Sequence, residues 1–392
     1  MTTRTMFVAA ATLVAALSVP AWAAEGADVL KNGDFRSAGG WGGLGSDEKK
    51  EVVVVDAAGG KVLVLRRKQA DAGVAIDQTV RLKPQTLYKL SATGSGTADA
   101  RLRLRPSASS DKDFSNLSKC WATSTAPFEP GDKPQTMEFV FDSGLKADSA
   151  SVSVYLGDPK QLGEFTLQSV SLTELSSSKP AKDEVIVAHL GDSITITSYL
   201  PFHRRVDRRL DAMTRVELPA AKARHINWGA DGEYVKDFLD SGRYRKTVKE
   251  NFERIDVAFI RYGANDSRNG TADDFKTQLG RLCDALQRDY PGIVIVIGTG
   301  PYVLKQDYIN TRQYGPCWQA SRDLAKEKGF RLADVYARFE KEQSPDLCRK
   351  PGDMHPSARG VEVMADEMFK TLKEVLAARA PAAAAKKPEQ VD

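Results

Sequence analysis

The chain has 392 residues, 42% hydrophobic and 28% charged, with a formal net charge of +4; such values belong to ordinary soluble domains with real cores. The length exceeds one typical domain and predicts two. A charge so small for this length, with Lys and Arg spread along the chain, argues against nucleic acid as the main partner.

Residues 1–23 differ in kind from the rest. Arg4 precedes an apolar run from Met6 to Leu17, followed by Pro20 and Ala21-Trp22-Ala23. This is the pattern of a secretory signal peptide cleaved after Ala23. The run is too short to cross a bilayer, and no other stretch is long and apolar enough. The mature protein is therefore expected to be exported, in the periplasm or outside the cell, with no membrane span.

From about 25 to 175 the chain reads as β almost throughout. Apolar or alternating runs recur at Val52–Val55, Val62–Leu65, Val74–Val80, Leu87–Ala92, Leu102–Leu104, Met137–Phe141, Val152–Leu156 and Phe165–Leu172. Gly, Asp, Ser and Pro separate them. Short strands at such intervals predict an antiparallel sandwich or jelly roll. Leu30-Lys31-Asn32-Gly33-Asp34-Phe35, Thr86–Ala92 and Val170–Glu174 resemble the opening, central and closing segments of carbohydrate-binding β-sandwich modules. The resemblance implies sugar binding. Where the family usually carries acidic residues before its closing Val, this chain has Gln168 and Ser169, so the structural calcium of such modules is not carried over. Sugar recognition also needs exposed aromatic faces; Trp41 and Trp121 are the candidates, with Tyr155 behind them, and core packing is the alternative for each.

Ser176–Asp183, small and polar with Pro180, reads as a linker. From 184 to 378 strands alternate with helices. Strand candidates are Val185–Leu190, Ala223–Asn227, Val257–Arg261, Ile293–Ile297 and Arg331–Ala333, and helical stripes such as Phe275, Leu279, Leu282 and Leu286 lie between them. This predicts a doubly wound α/β domain around about five parallel strands. Ligands in such folds bind beyond the carboxyl ends of the strands.

Those ends carry chemistry. The first strand runs into Gly191-Asp192-Ser193, the second into Asn227-Trp228-Gly229-Ala230-Asp231-Gly232 and the third into Gly263-Ala264-Asn265-Asp266. A late loop holds Asp353-Met354-His355-Pro356-Ser357. A serine hydroxyl needs a base to become a nucleophile, and His355 is the candidate. The tetrahedral intermediate of acyl transfer needs N–H donors for its oxyanion. The backbone N–H groups of Ser193 and Gly232 and the side-chain amide of Asn265 are the candidates, with Gly229 as a fallback. Trp228, Tyr302 and Trp318 are candidate substrate-facing aromatics, each with a core reading beside it.

Together the four blocks resemble the SGNH, or GDSL-type, hydrolases across essentially the whole second domain. The resemblance implies a metal-independent serine esterase without cofactor, with Ser193 as nucleophile, His355 as base and an oxyanion hole at Ser193, Gly232 and Asn265. It departs at one point. The family's acid stands three residues before the histidine, where this chain has Gly352; Asp353 stands two before. Asp353 is the expected third member of the triad, with Asp346 or a backbone carbonyl as alternatives.

Other features invite plainer readings. His189 and His225 lie in strands and read as buried core residues. His203, among Arg204, Arg205, Arg208 and Arg209, reads as part of a solvated helix face, or of a cleft for acidic substrates. Asp266 is expected to fix its own loop. Of the four cysteines, Cys283 lies on an apolar stripe and is expected to be a free thiol. Cys317 and Cys348, both in loop-like stretches, fit either a disulfide or two free thiols. No Cys/His spacing resembles a zinc site. Residues 379–392 read as a disordered tail beyond the last helix.

The expected function is removal of O-acyl groups, most simply O-acetyl, from a polysaccharide. A lipase or thioesterase acting on lipid or thioester substrates is a second reading. A non-catalytic glycan-binding protein with a decayed hydrolase domain is a third, favoured only by the displaced aspartate.

Overall fold

A computed structural model describes residues 28–384 apart from 38, 84–85, 107–124, 144–148, 178–180, 201–203, 251 and 305–313. The expected signal peptide, residues 1–23, lies outside the described residues, as do Cys120, Trp121 and His203.

The first domain is an antiparallel sandwich. Its strands are β1 (Gly45–Ser46), β2 (Lys50–Ala57), β3 (Gly60–Arg67), β4 (Ala75–Arg81) and β5 (Thr86–Gly96), then β6 (Ala100–Pro106), β7 (Thr125–Pro127), β8 (Gly131–Asp142), β9 (Ser149–Leu156) and β10 (Gly163–Ser177). They form a six-stranded sheet, β1-β2-β3-β10-β5-β8, facing a four-stranded sheet, β4-β9-β6-β7. Alternation explains the layering: Leu63, Leu65, Leu90, Phe165 and Leu167 from one sheet meet Ile76, Leu102, Leu104, Val152 and Val154 from the other in one core. The opening motif closes this core. Phe35 is fully buried, and a Cβ on Gly33 would stand 1.9 Å from the Val170 carbonyl oxygen, so only glycine lets this turn lie against the closing strand.

The second domain is built on five parallel strands, β11 (Val185–Gly191), β12 (Ala223–Asn227), β13 (Val257–Arg261), β14 (Val294–Gly298) and β15 (Arg331–Ala333), in the order β12-β11-β13-β14-β15. Its helices are α1 (Ser193–Ile196), α2 (Val206–Glu217), α3 (Val235–Asp240), α4 (Ala272–Asp289), α5 (Tyr314–Lys328), α6 (Val335–Glu342) and α7 (Ala358–Ala384). Strands buried on both faces explain the continuous apolar runs. One face packs against α3, α4 and α5 through Phe238, Leu279, Leu282 and Leu324. The other packs against α2, α6 and α7 through Leu210, Phe339, Met364 and Leu372. Among the described residues no helix is long and apolar enough to cross a membrane.

Several local expectations differ from this structure. β10 runs through Ser177, past the expected start of the linker, and Arg254 holds the linker's far end by donating to the carbonyls of Ala181, Lys182 and Glu184. The last helix continues to Ala384, beyond the expected end at 378. Cys317 lies in α5 rather than in a loop, and Cys283, Cys317 and Cys348 are free thiols.

Candidate active site

β11 ends where Gly191 and Asp192 turn the chain into α1. A Cβ on Gly191 would meet Thr195 Oγ1 at 2.1 Å and the Arg261 carbonyl oxygen at 2.2 Å, so the turn is as tight as the strand spacing allows. Asp192 caps the helix, its Oδ1 accepting from the Ile194 N–H at 2.9 Å. Burial pushes its carboxyl up to about 7, against the opposing pull of the Ile194 N–H and of the Arg261 charge. Arg261, also buried, donates to the Ile194 carbonyl at 3.0 Å. Ser193 is thereby fixed as the first residue of α1, where its N–H has no acceptor inside the helix.

Ser193 Oγ lies 3.0 Å from His355 Nε2, and His355 Nδ1 lies 2.7 Å from Asp353 Oδ1. That same Oδ1 accepts the backbone N–H of His355 at 3.0 Å. The aspartate two residues before the histidine therefore folds into an Asx-type turn on the histidine's own backbone and meets the ring from there. Burial raises the Asp353 carboxyl, but the two bonds from His355 and the nearby Arg349 charge outweigh it and hold the group below the ordinary carboxylate range. Asp346 does not take this place; its carboxylate accepts from Ser344 Oγ. No backbone carbonyl is needed to orient the ring.

The oxyanion candidates are tied to this centre by a chain of bonds. The Trp228 N–H donates to the His189 carbonyl at 2.8 Å and the Ala230 N–H to the Gly191 carbonyl at 2.9 Å, which presses the second loop against the nucleophile's strand. Gly232 adopts φ +74°, and its N–H finds no acceptor among the described residues. Gly229 is excluded as a donor because its N–H is bound to Asn227 Oδ1 at 2.9 Å. Asn265 is buried and gives one amide hydrogen to the Glu233 carbonyl at 3.1 Å, leaving the other for an oxyanion. Asp266 accepts from Gly263 N at 3.1 Å and from Val235 N at 3.1 Å, fixing its own loop and the second loop together.

The aromatic candidates fare differently. Trp41, Trp228 and Trp318 are core residues, 7%, 2% and 2% exposed, so none offers a face to a sugar. Trp41 packs on Phe35 and donates to the Asn32 carbonyl; Trp228 meets Phe252 edge-on. Trp318 fills the space above Gly263 and Gly300. Tyr302 is half-buried and lines a mostly apolar cavity of about 140 Å³ with Leu304, Phe339, Leu347, Cys348 and Pro351. The expected solvated arginines are also largely internal. Arg205 is buried, Arg208 bonds Asp207 and the His225 carbonyl, and Arg209 pairs with Glu362. His189 and His225 are buried and joined at 3.0 Å.

Two groups escape sequence reading. Tyr199 lies edge-on to His355, ring centroids 5.4 Å apart, and donates to the Pro356 carbonyl at 3.0 Å. Arg349 covers the Tyr199 ring at 4.9 Å, and its N–H donates to the His355 carbonyl at 3.0 Å. The tertiary fold brings Tyr199 to the histidine, while Arg349 shares the histidine's own loop; no motif spacing signals either.

A parallel α/β sheet that delivers a serine, an asparagine and a late-loop histidine to one edge is the architecture of a serine hydrolase acting on esters. Residues 189–363 match the GDSL-like Lipase/Acylhydrolase family and residues 27–161 the Carbohydrate binding domain family. The second half of the chain is thus a GDSL-type esterase domain, and a carbohydrate-binding domain precedes it. No curated protein sequence matches the chain. Among solved structures, it is similar to a lipolytic G-D-S-L family protein from Veillonella parvula (20% identity over 48% of this chain and 98% of that one, TM-score 0.41). An acetylxylan esterase from Geobacillus stearothermophilus shares 18% identity over 49% and 96% (TM-score 0.41). A family two carbohydrate esterase from Clostridium thermocellum shares 14% over 83% and 98% (TM-score 0.39).

Proposed function

We propose that this chain is an exported esterase that removes O-acetyl groups from a polysaccharide through a Ser193–His355–Asp353 triad. The observation that carries the reading is the continuous line from Ser193 Oγ to His355 Nε2 at 3.0 Å and from His355 Nδ1 to Asp353 at 2.7 Å. His355 takes the Ser193 proton as Oγ attacks the acetyl carbonyl carbon. The N–H groups of Ser193, Gly232 and Asn265 meet the oxyanion. Collapse breaks the ester bond, and the imidazolium returns its proton to the departing sugar oxygen, leaving an acetyl-serine. Water, deprotonated by His355, then releases acetate by the same route. The carbohydrate part of the reading is supported by the attached carbohydrate-binding domain, and export by the signal-peptide pattern at residues 1–23.

The test is acetate release from a panel of acetylated polysaccharides. The intact protein is expected to deacetylate at least one, and Ser193→Ala to release none while keeping its thermal melting temperature. Full activity in Ser193→Ala would sink the triad. A preference for long-chain acyl esters over acetate would replace the acetyl reading with a lipase-like one.

A further inference from the structure

Beside the second loop lies a buried ion pair that the steps above do not use. Glu233 follows Gly232 directly and is 8% exposed. Its carboxylate accepts from Arg243 Nη1 and from the Tyr262 hydroxyl, the latter at 2.8 Å. Arg243, also buried, gives its other terminal nitrogen to the Trp228 carbonyl at 2.6 Å and lies over the Phe238 ring at 4.9 Å. The backbone carbonyl of the same Glu233 accepts the Asn265 amide at 3.1 Å. Tyr262 directly precedes the Gly263–Asp266 segment, so one residue holds this loop both at its entry and at Asn265 within it.

A buried ion pair is seldom a net source of stability, since desolvation offsets the attraction. Its geometric consequence is clearer. Gly232 stands at φ +74° with nothing within 4 Å of the place a Cβ would occupy, so side-chain packing does not hold the loop at that point. The anchor one residue later does. The Glu233 carbonyl also takes one hydrogen of the Asn265 amide, which sets the direction of the other.

We propose that Glu233, held by Arg243 and Tyr262, is a positioning residue that fixes the Gly232 N–H and the Asn265 amide in register for the oxyanion. This inference rests on the esterase reading above. Because the oxyanion exists only along the reaction path, misplacing its donors lowers kcat and leaves KM alone.

Tyr262→Phe is the informative variant, because it removes one donor to the carboxylate and keeps both the ion pair and the ring. On a small soluble acetyl ester its kcat is expected to fall about tenfold, the scale of one misaligned hydrogen bond, with KM unchanged. Asn265→Ala is expected to lose about 10²–10³ in kcat. The double variant is expected to lose less than the product of the two single losses, because the part of the Tyr262→Phe effect that runs through Asn265 is already gone while the part that runs through the Gly232 N–H remains. If Tyr262→Phe fails to fold, Arg243→Lys, which keeps the charge and shortens the reach to Trp228, is read in the same cycle. Wild-type kcat in the folded variant, or losses that multiply in the double variant, would overturn the inference. Ser193→Ala separates the two failures. If it stays active, the esterase reading falls; if it is inactive while Tyr262→Phe keeps full kcat, only the positioning role falls.

Discussion

Asp353 Oδ1 serves two donors of the same residue, the backbone N–H and the ring Nδ1 of His355. The shortened spacing, the one feature that favoured a decayed hydrolase, is therefore compatible with a held imidazole. Asp353→Asn offers the ring an amide of mixed polarity and is expected to lower kcat by about 10²–10⁴, by analogy with other triads that lose this carboxylate. Asp346→Asn, whose carboxylate bonds only Ser344 among the described residues, is expected to leave kcat unchanged; steady-state kinetics on a soluble acetyl ester decides both. Asp192 invites a stability measurement. Its carboxyl is raised from 3.8 to about 7 by burial, so the folded state binds a proton that the unfolded state has lost between those values. Its contribution to stability is therefore fully present below pH 3.8, declines as pH rises through the window, and is gone above about 7. Asp192→Asn keeps a capping side chain and removes the titration. Its melting temperature is expected to vary less from pH 4 to pH 7 than that of the parent, and an unchanged slope would refute the assignment.

At the scale of elements, glycine and tryptophan set the spacing of the third loop. A Cβ on Gly300 would stand 2.4 Å from Trp318 Cζ2, and one on Gly263, at φ +123°, 2.7 Å from Cζ3. Gly300→Ala is expected to destabilise the domain by about 1–3 kcal/mol through overpacking, read from urea denaturation. Trp318 also shows where sequence reading fails. Its type suits a sugar platform as well as a core, and only the burial supplied by α5 and the two glycines decides between them. Trp41 and Trp228 fail in the same way. The five parallel strands were legible because strands buried on both faces spell continuous apolar runs. β1 and β7, of two and three residues, are too short to carry a pattern. Ser193, His355 and Asn265 were legible because each sits in a short segment at a strand end or late loop. Tyr199, Arg349, Glu233 and Arg243 were not: Tyr199 and Arg243 come from other segments, and Arg349 and Glu233, though near His355 and Gly232 in sequence, act through partners such as Tyr199 and Tyr262 that no periodicity announces.

For the whole molecule, the proposed function assigns capture of the polysaccharide to the carbohydrate-binding domain and the chemistry to the esterase domain. No bond between the domains enters the line from Asp353 to Ser193, so removing residues 28–177 is expected to leave kcat/KM on a small acetyl ester within about threefold. The same truncation is expected to slow acetate release from an insoluble polymer, where tethering raises the local substrate concentration. Equal loss on both substrates would mean that the sandwich supports the catalytic fold itself.

The triad is assembled on two very different length scales. Asp353 and His355 are two residues apart and form a unit that one turn can hold, whereas Ser193 and His355 are separated by 162 positions and meet only when β11 and the late loop are both docked. Partial loosening of the domain should therefore sever the hydroxyl from the imidazole while the carboxylate still grips the ring. In proton NMR across a denaturant series, the bridging Nδ1 proton of His355 is expected to outlast hydrolysis. Inactivation would then be a loss of docking, with the charged half of the catalytic machinery surviving as a local relic.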